Sequence, residues 1–273
     1  MTWNGEQLDF DAYLARIGYE GSPKPDLESL RTLHRAHVAA VPFENLEIML
    51  GRPVLLDLEA LQDKLVRRRR GGYCYEQNLL FAAVLERTGF AVTGLGARVR
   101  AGATAMRAVT HMILKVEADG EEWLCDVGFG AEGLLEPIRL RDGEEARQGT
   151  WRFGLVAEEG GVKALRTLHH DGWFDIYGFT LEPRFTVDYV LMNHYTSTHP
   201  KSAFTRRPVI QRAAPGVRRS LVGARLTVTR PGGEVEERDV AEGELKDVVV
   251  QEFGVELSDD DWRTLIRVYS AGA

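Results

Sequence analysis

The sequence predicts an α+β protein, and three observations carry the prediction. Apolar residues recur at three- and four-residue steps up to about residue 90. The pattern then breaks into short strand-like segments cut by glycine and acidic turns, from about 91 to 180, and the remainder mixes both patterns. The 273 residues, 44% of them hydrophobic, can bury a substantial core as one large domain or two to three small ones.

The first helix defined by this spacing starts at Pro25-Asp26, with Leu27, Leu30, Leu33, His37 or Val38 and Val41 recurring along it, and Pro42 ends it. A second begins at Asp57 with Leu58, Leu61 and Leu65 on one face. The basic run Arg67-Arg68-Arg69-Arg70 reads as a solvated helix end, its cations near the C-terminal dipole, rather than as a phosphate patch. The third helix follows Cys74, with Leu79, Leu80, Ala83 and Val84 inward and Gly89 as its stop. Strand-like segments come next at 92–99, 111–116, 123–127, 151–156 and 162–168, with Asp119-Gly120 as a hairpin turn; strands so spaced suggest a small antiparallel barrel or sandwich. Residues 187–195 read as helix, and 221–229 with 235–240 as a hairpin around Pro231-Gly232-Gly233. Two helices close the chain. Leu245, Val248, Val249 and Phe253 stripe one, ended by Gly254; Ser258 caps the other, which carries Trp262, Leu265, Ile266 and Tyr269.

A net charge of −7 invites neither nucleic acid nor an anionic membrane. Two cysteines are too few for a disulfide framework, Met1-Thr2-Trp3-Asn4-Gly5-Glu6 lacks the plan of a signal peptide, and no apolar stretch approaches the roughly 20 residues of a membrane span. A soluble protein of a reducing cytoplasm is expected.

The chemistry centres on Arg70-Gly71-Gly72-Tyr73-Cys74-Tyr75-Glu76-Gln77. A cysteine at a helix start faces unpaired N–H groups and the positive end of the dipole, a setting that favours the nucleophilic thiolate. The bland alternative, a small buried hydrophobe, stands beside this reading. Cys125, within an apolar segment, reads as a structural thiol. His111 opens one strand-like segment and Asp126 closes the next; joined by the Asp119-Gly120 turn, they fall at one end of a hairpin within side-chain reach. A buried carboxylate needs a partner, and a histidine supplies one. Cysteine, histidine and aspartate in this order suggest a nucleophile, its base and the group that orients the base. The other histidines show no accompanying ligand set, so no metal site is expected. The segment 101–104 is no phosphate loop.

Arg70–Asn78 as a motif, with Val41-Pro42-Phe43-Glu44-Asn45-Leu46, Thr110-His111-Met112 and Asp126-Val127-Gly128-Phe129-Gly130, resembles the arylamine N-acetyltransferase family in its prokaryotic form, over essentially the whole chain. The resemblance implies a cysteine-protease-like core in three parts: a helical bundle over 1–90 carrying Cys74, an antiparallel β-barrel over 91–200 carrying His111 and Asp126, and an α/β lid over 201–273. It implies ping-pong transfer from acetyl-coenzyme A, through an acetyl-cysteine on Cys74, to arylamines, arylhydrazines or N-hydroxyarylamines, a reaction of xenobiotic metabolism that uses no metal. His111 then activates the thiol and Asp126 orients His111. Phe43, Val99, Phe129 and Phe204 match positions that line the acceptor pocket, with ordinary core packing as their other reading. Thr110, Gly128, Phe129 and Gly130 are placed against the coenzyme A arm, while Arg70, Glu76, Glu44 and Asn45 are read as scaffold. The cations that meet the coenzyme phosphates are not assigned, and the oligomeric state is open, a homodimer included. Three rivals keep the same residues: an amide synthase closing a macrolactam, a Cys-His-Asp hydrolase with water as acceptor, and a non-catalytic binding protein.

Overall fold

A computed structural model describes residues 2–103 and 105–271; Met1, Thr104 and the last two residues, Gly272 and Ala273, lie outside the described residues. The chain opens with helices α1 (Phe10–Ile17) and α2 (Leu27–Ala40), each begun by an aspartate, Asp9 and Asp26, whose side chain accepts a first-turn N–H. Strand β1 (Phe43–Glu44) and the single turn α3 (Leu46–Met49) follow. Helix α4 (Leu58–Leu61) starts at Asp57 and widens into a π-helical segment, Gln62–Arg67, so the regular helix expected there is corrected. The basic run also needs correction. Arg67 and Arg68 pair with Glu59 and Asp63 at the surface, but Arg70 is buried against Glu44 at 2.7 Å. Helix α5 (Cys74–Thr88) is buried from Cys74 to Leu85 and ends on Gly89, whose φ of 101° suits glycine. Leu30, Leu33, Leu65 and Tyr13 pack into the same core.

Eight antiparallel strands make the second layer: β2 (Ala91–Val99), β3 (His111–Ala118), β4 (Glu121–Cys125), β5 (Ile138–Arg139), β6 (Glu145–Gln148), β7 (Trp151–Ala157), β8 (Lys163–His169) and β9 (Gly172–Pro183). Their order is β5-β4-β3-β2-β9-β8-β7-β6. Gln148 on the β6 edge bonds Leu135 N, Glu136 N and Glu136 O just ahead of β5, at 2.8, 3.0 and 2.8 Å. A side chain thus spans the seam of a nearly closed barrel where ladder bonds are missing. The β3–β4 ladder stops at Leu114↔Cys125, so Asp126 lies beyond the strand and not inside it as expected.

Helix α6 (Thr186–Thr198) leads into β10 (Val209–Ala214), β11 (Val217–Val222), β12 (Arg225–Thr229) and β13 (Val235–Asp239), before helices α7 (Leu245–Phe253) and α8 (Asp259–Ala271). The segment expected as one strand over 221–229 is two, because Gly223, at φ 59°, turns β11 back onto β12 with Leu221 opposite Leu226. Strand β1 joins the edge of this sheet, Phe43 opposite Gln211, giving the order β1-β10-β11-β12-β13. Ile210 and Leu221 from the sheet, Leu46 and Met49 from α3, and Val249, Phe253 and Leu265 from α7 and α8 form its core. Trp151 Nε1 donates to Ala214 O at 2.9 Å and ties this sheet to the barrel.

Candidate active site

Cys74 is the first residue of α5, and the first intrahelical bond runs from Gln77 N to Tyr73 O. The amides of the first turn are therefore free of helix partners. Glu76 Oε2 takes the Tyr73 N–H at 3.0 Å while its Oε1 pairs with Lys64 at 2.7 Å. Behind them, Arg70 bridges Glu44 and Glu47, and Glu44 Oε2 accepts from Leu46 N at 2.6 Å. Asn45 spans to Phe204 O, Arg207 O and Val209 N, fixing the segment before β10. Gly71 is obligatory, since a Cβ there would meet Pro42 O at 2.2 Å. A chain of buried ions, unusual in a helix-start loop, thus sets where the sulfur sits.

His111 Nε2 and Asp126 Oδ2 are 2.7 Å apart, both buried. The other carboxylate oxygen accepts from Asn78 Nδ2 and Gly128 N, both at 3.0 Å. With Oδ2 taking the Nε2 proton, Nδ1 of His111 is left for the Cys74 thiol, which acts on the imidazole by hydrogen bond and by charge. Burial opposes the imidazolium, but the Asp126 charge and hydrogen bond outweigh it, with Cys74 adding to them, and hold the His111 pKa up to about 10. Burial likewise opposes ionised Asp126, yet His111, Asn78 and Gly128 N keep its carboxyl below the usual range. Burial, with the adjacent Asp126 charge adding to it, pushes the Cys125 thiol well up.

Three supporting residues were missed in sequence. Asn78, one turn after Cys74 on α5, donates to Met112 O at 2.8 Å as well as to Asp126, and accepts from Val127 N at 3.1 Å. His34 Nε2 accepts from Asp126 N and Nδ1 faces Leu135 O, both at 3.2 Å. Burial holds this histidine neutral, its pKa down at about 4. Tyr177 packs its ring 5.1 Å from His111 and 5.6 Å from Phe129. The i, i+4 spacing of Cys74 and Asn78 was a signal available in the sequence; His34 and Tyr177 offered none.

A cavity of about 760 Å³ opens onto the sulfur. It is lined by Cys74, His111, Thr110, Phe43, Val99, Gly128, Phe129 and Phe204 among the residues nominated from sequence, whereas Asp126 and Gly130 stand behind its wall. Phe129 meets His111 edge-on at 5.2 Å, and Phe43 packs on Phe204 at 5.7 Å. The Cys74 thiol reaches the Thr110 carbonyl at 3.9 Å. Gly128 is required by close approach: a Cβ there would lie 2.7 Å from Cys74 Cα. Arg107, Lys201 and Arg206 also line the cavity, and none forms an ion pair with a carboxylate among the described residues. Among those residues there is also no group of three His, Cys, Asp or Glu placed to hold a metal ion, and no helix is long and apolar enough to cross a membrane.

The family model described as N-acetyltransferase matches residues 26–262. The chain is similar to the arylamine N-acetyltransferases of Mycolicibacterium smegmatis, 40% identical over 92% of this chain and 94% of that one, and of Escherichia coli, 36% identical over 90% and 89%. Among solved structures it resembles the arylamine N-acetyltransferase of Nocardia farcinica, with 48% identity, a TM-score of 0.92 and coverage of 97% and 95%. It also resembles that of Mycobacterium marinum in complex with CoA, with 34% identity, a TM-score of 0.90 and coverage of 97% and 100%.

Proposed function

The chain belongs to the arylamine N-acetyltransferase family, and from that premise we propose that it moves the acetyl group of acetyl-coenzyme A to arylamines, arylhydrazines and N-hydroxyarylamines in two half-reactions through an acetyl-cysteine on Cys74. The observation that carries the reading is the placement of Cys74 on the wall of one cavity with the His111–Asp126 pair beside it. His111 is the base beside the sulfur that can take the thiol proton, and the open helix start leaves unpaired N–H groups next to it. Cys74 Sγ attacks the thioester carbonyl, the Cys74 N–H lies at the helix start where it can donate to the developing oxyanion, and His111 protonates the departing coenzyme sulfur. The amine then attacks the acetyl-cysteine, His111 takes its proton, and Cys74 leaves as thiolate. Asp126 holds His111 in the tautomer that both steps need and supports its charge. Thr110 and Gly128 flank the path to the sulfur, with Gly130 shaping the turn behind Phe129, and Arg107, Lys201 and Arg206 offer unpaired cations for the coenzyme phosphates. Phe43, Val99, Phe129 and Phe204 provide the apolar surface for an aromatic acceptor.

The test is direct. After brief incubation with acetyl-coenzyme A, digestion should locate one acetyl group on the peptide containing Cys74, and an arylamine should remove it. An acetyl group on Cys125, or turnover by Cys74→Ala, would end the proposal.

A further inference from the structure

The cavity wall carries one acidic group that the reaction does not use. Glu132 lines the same cavity as Cys74, three residues beyond Phe129, together with His169 and Phe174. Its carboxylate is held from behind. Glu132 Oε2 accepts from Arg218 at 2.6 Å and from His169 Nε2 at 3.1 Å. Arg218 is itself buried, lies 3.8 Å above the Trp151 ring and donates to Thr167 Oγ1 at 3.1 Å. His169 stacks on Phe174 with ring centroids 4.7 Å apart. Both donors converge on one oxygen, and Oε1 takes no hydrogen bond from any described residue. The arrangement is a built one: an ionised carboxylate is locked in place by a buried guanidinium, and half of its accepting capacity is left to the cavity.

Arg107, Lys201 and Arg206 are unpaired cations suited to phosphate, whereas a carboxylate repels it. Glu132, three residues beyond Phe129 of the aromatic surface assigned to the acceptor, therefore falls to the acceptor rather than to the coenzyme. Arg218 compensates the Glu132 charge only from the Oε2 side, so the lone pairs of Oε1 attract neutral hydrogen-bond donors as well as cations and disfavour a second carboxylate, as they disfavour phosphate.

We propose that Glu132 Oε1 reads the end of the acceptor remote from its amine, so that the site selects aromatic amines carrying an amide, sulfonamide or phenol over those carrying a carboxylate. The proposal rests on the acetyl-transfer reading above. It makes Glu132 a specificity-determining group with no part in acyl transfer.

The experiment compares 4-aminobenzamide with 4-aminobenzoate, measuring kcat/KM for each with acetyl-coenzyme A in the wild type, Glu132→Gln and Glu132→Asp. Taking the ratio of the two substrates within each protein, and then across proteins, cancels their unequal nucleophilicity. In the Gln variant the amide oxygen keeps the Arg218 and His169 bonds, so the NH2 group faces the cavity as a donor. The amide-over-carboxylate ratio should fall at least about tenfold, the change expected of one ordinary hydrogen bond. Glu132→Asp keeps a charge opposite Arg218 but withdraws the free oxygen by one methylene; its ratio should fall in the same direction by less. That variant carries the test if thermal melts show the Gln protein to be unfolded. Equal ratios in the wild type and the folded variants would overturn the assignment of Glu132 while leaving acetyl transfer intact. A wild type that acetylates no arylamine would overturn the acetyl-transfer reading itself.

Discussion

The roles of single atoms at Asp126 make a sharp expectation for one substitution. Oδ1 is occupied by two donors, Asn78 Nδ2 and Gly128 N, so an asparagine at 126 keeps its oxygen there and turns its NH2 toward His111 Nε2. The imidazole must then accept at Nε2 and carry its proton on Nδ1, where it can no longer take one from Cys74. Asp126→Asn should stay folded by circular dichroism and lose about a thousandfold or more in kcat/KM. A folded variant with near-normal amine acetylation would remove Asp126 from the reaction. The two thiols should also part company. Cys74 lines an open cavity beside an imidazolium, whereas Cys125 is fully buried with its pKa pushed well up, so at pH 7 iodoacetamide should modify Cys74 at least about a hundredfold faster. Peptide mapping over time reads both rates, and equal rates contradict the assignment.

At the scale of elements, the site is a joint between helix α5 and the strand ends of β3 and β4. Asn78 on α5 clasps Met112, Asp126 and Val127, and Gly128 lets the barrel backbone lie directly on Cys74. Gly128→Ala should force these two elements apart, costing about 1–3 kcal/mol in denaturant unfolding and lowering kcat while secondary-structure content by circular dichroism stays unchanged. Wild-type stability and turnover in that variant would show that the joint is looser than the distances indicate. Much of this level was legible in the sequence. Helices α2 and α5 carry clean periodicity and signalled ends, Asp26 and Gly89 among them, and the Asp119-Gly120 turn placed His111 and Asp126 together. What was not legible depends on contacts between elements. Arg70 looked like part of a solvated run because its partner Glu44 lies on a strand far away in sequence. Gly223 passed for a strand interior because only the return of β11 onto β12 shows that it turns. His34 carried no signal in the sequence, because only tertiary packing brings its Nε2 to the Asp126 amide.

For the molecule as a whole, buried histidines of opposite character should shape stability against pH. Burial first lowers His34 to about 4 against the hydrogen bond to Leu135 and the Asp126 charge, and burial with the His34 and Arg16 charges lowers His37 to about 3, from an ordinary 6.5. Below pH 6.5 the unfolded chain binds protons that the folded chain refuses, so their contribution is complete above about 6.5 and is lost as pH falls toward 4 and 3. His111 runs the other way. Its folded pKa is raised, so its contribution is complete below 6.5 and is lost as pH rises toward about 10. Melting temperature should therefore peak near neutrality and fall on both sides, and His34→Gln should flatten the acid limb; a level curve between pH 4 and 6.5 would contradict the histidine account. The β1–β10 pairing bears on biosynthesis. Strand β1 waits for β10, with Phe43 opposite Gln211, and Phe204 closes over Phe43 only when that later stretch has been made. A nascent chain, extended from its N-terminus by the ribosome, therefore carries the nucleophile and both of its partners well before the wall that shelters them. The sulfur should then be more open to oxidants and electrophiles before that wall forms, and ribosome-stalled chains ending ahead of residue 209 should be modified at Cys74 more readily than the finished protein.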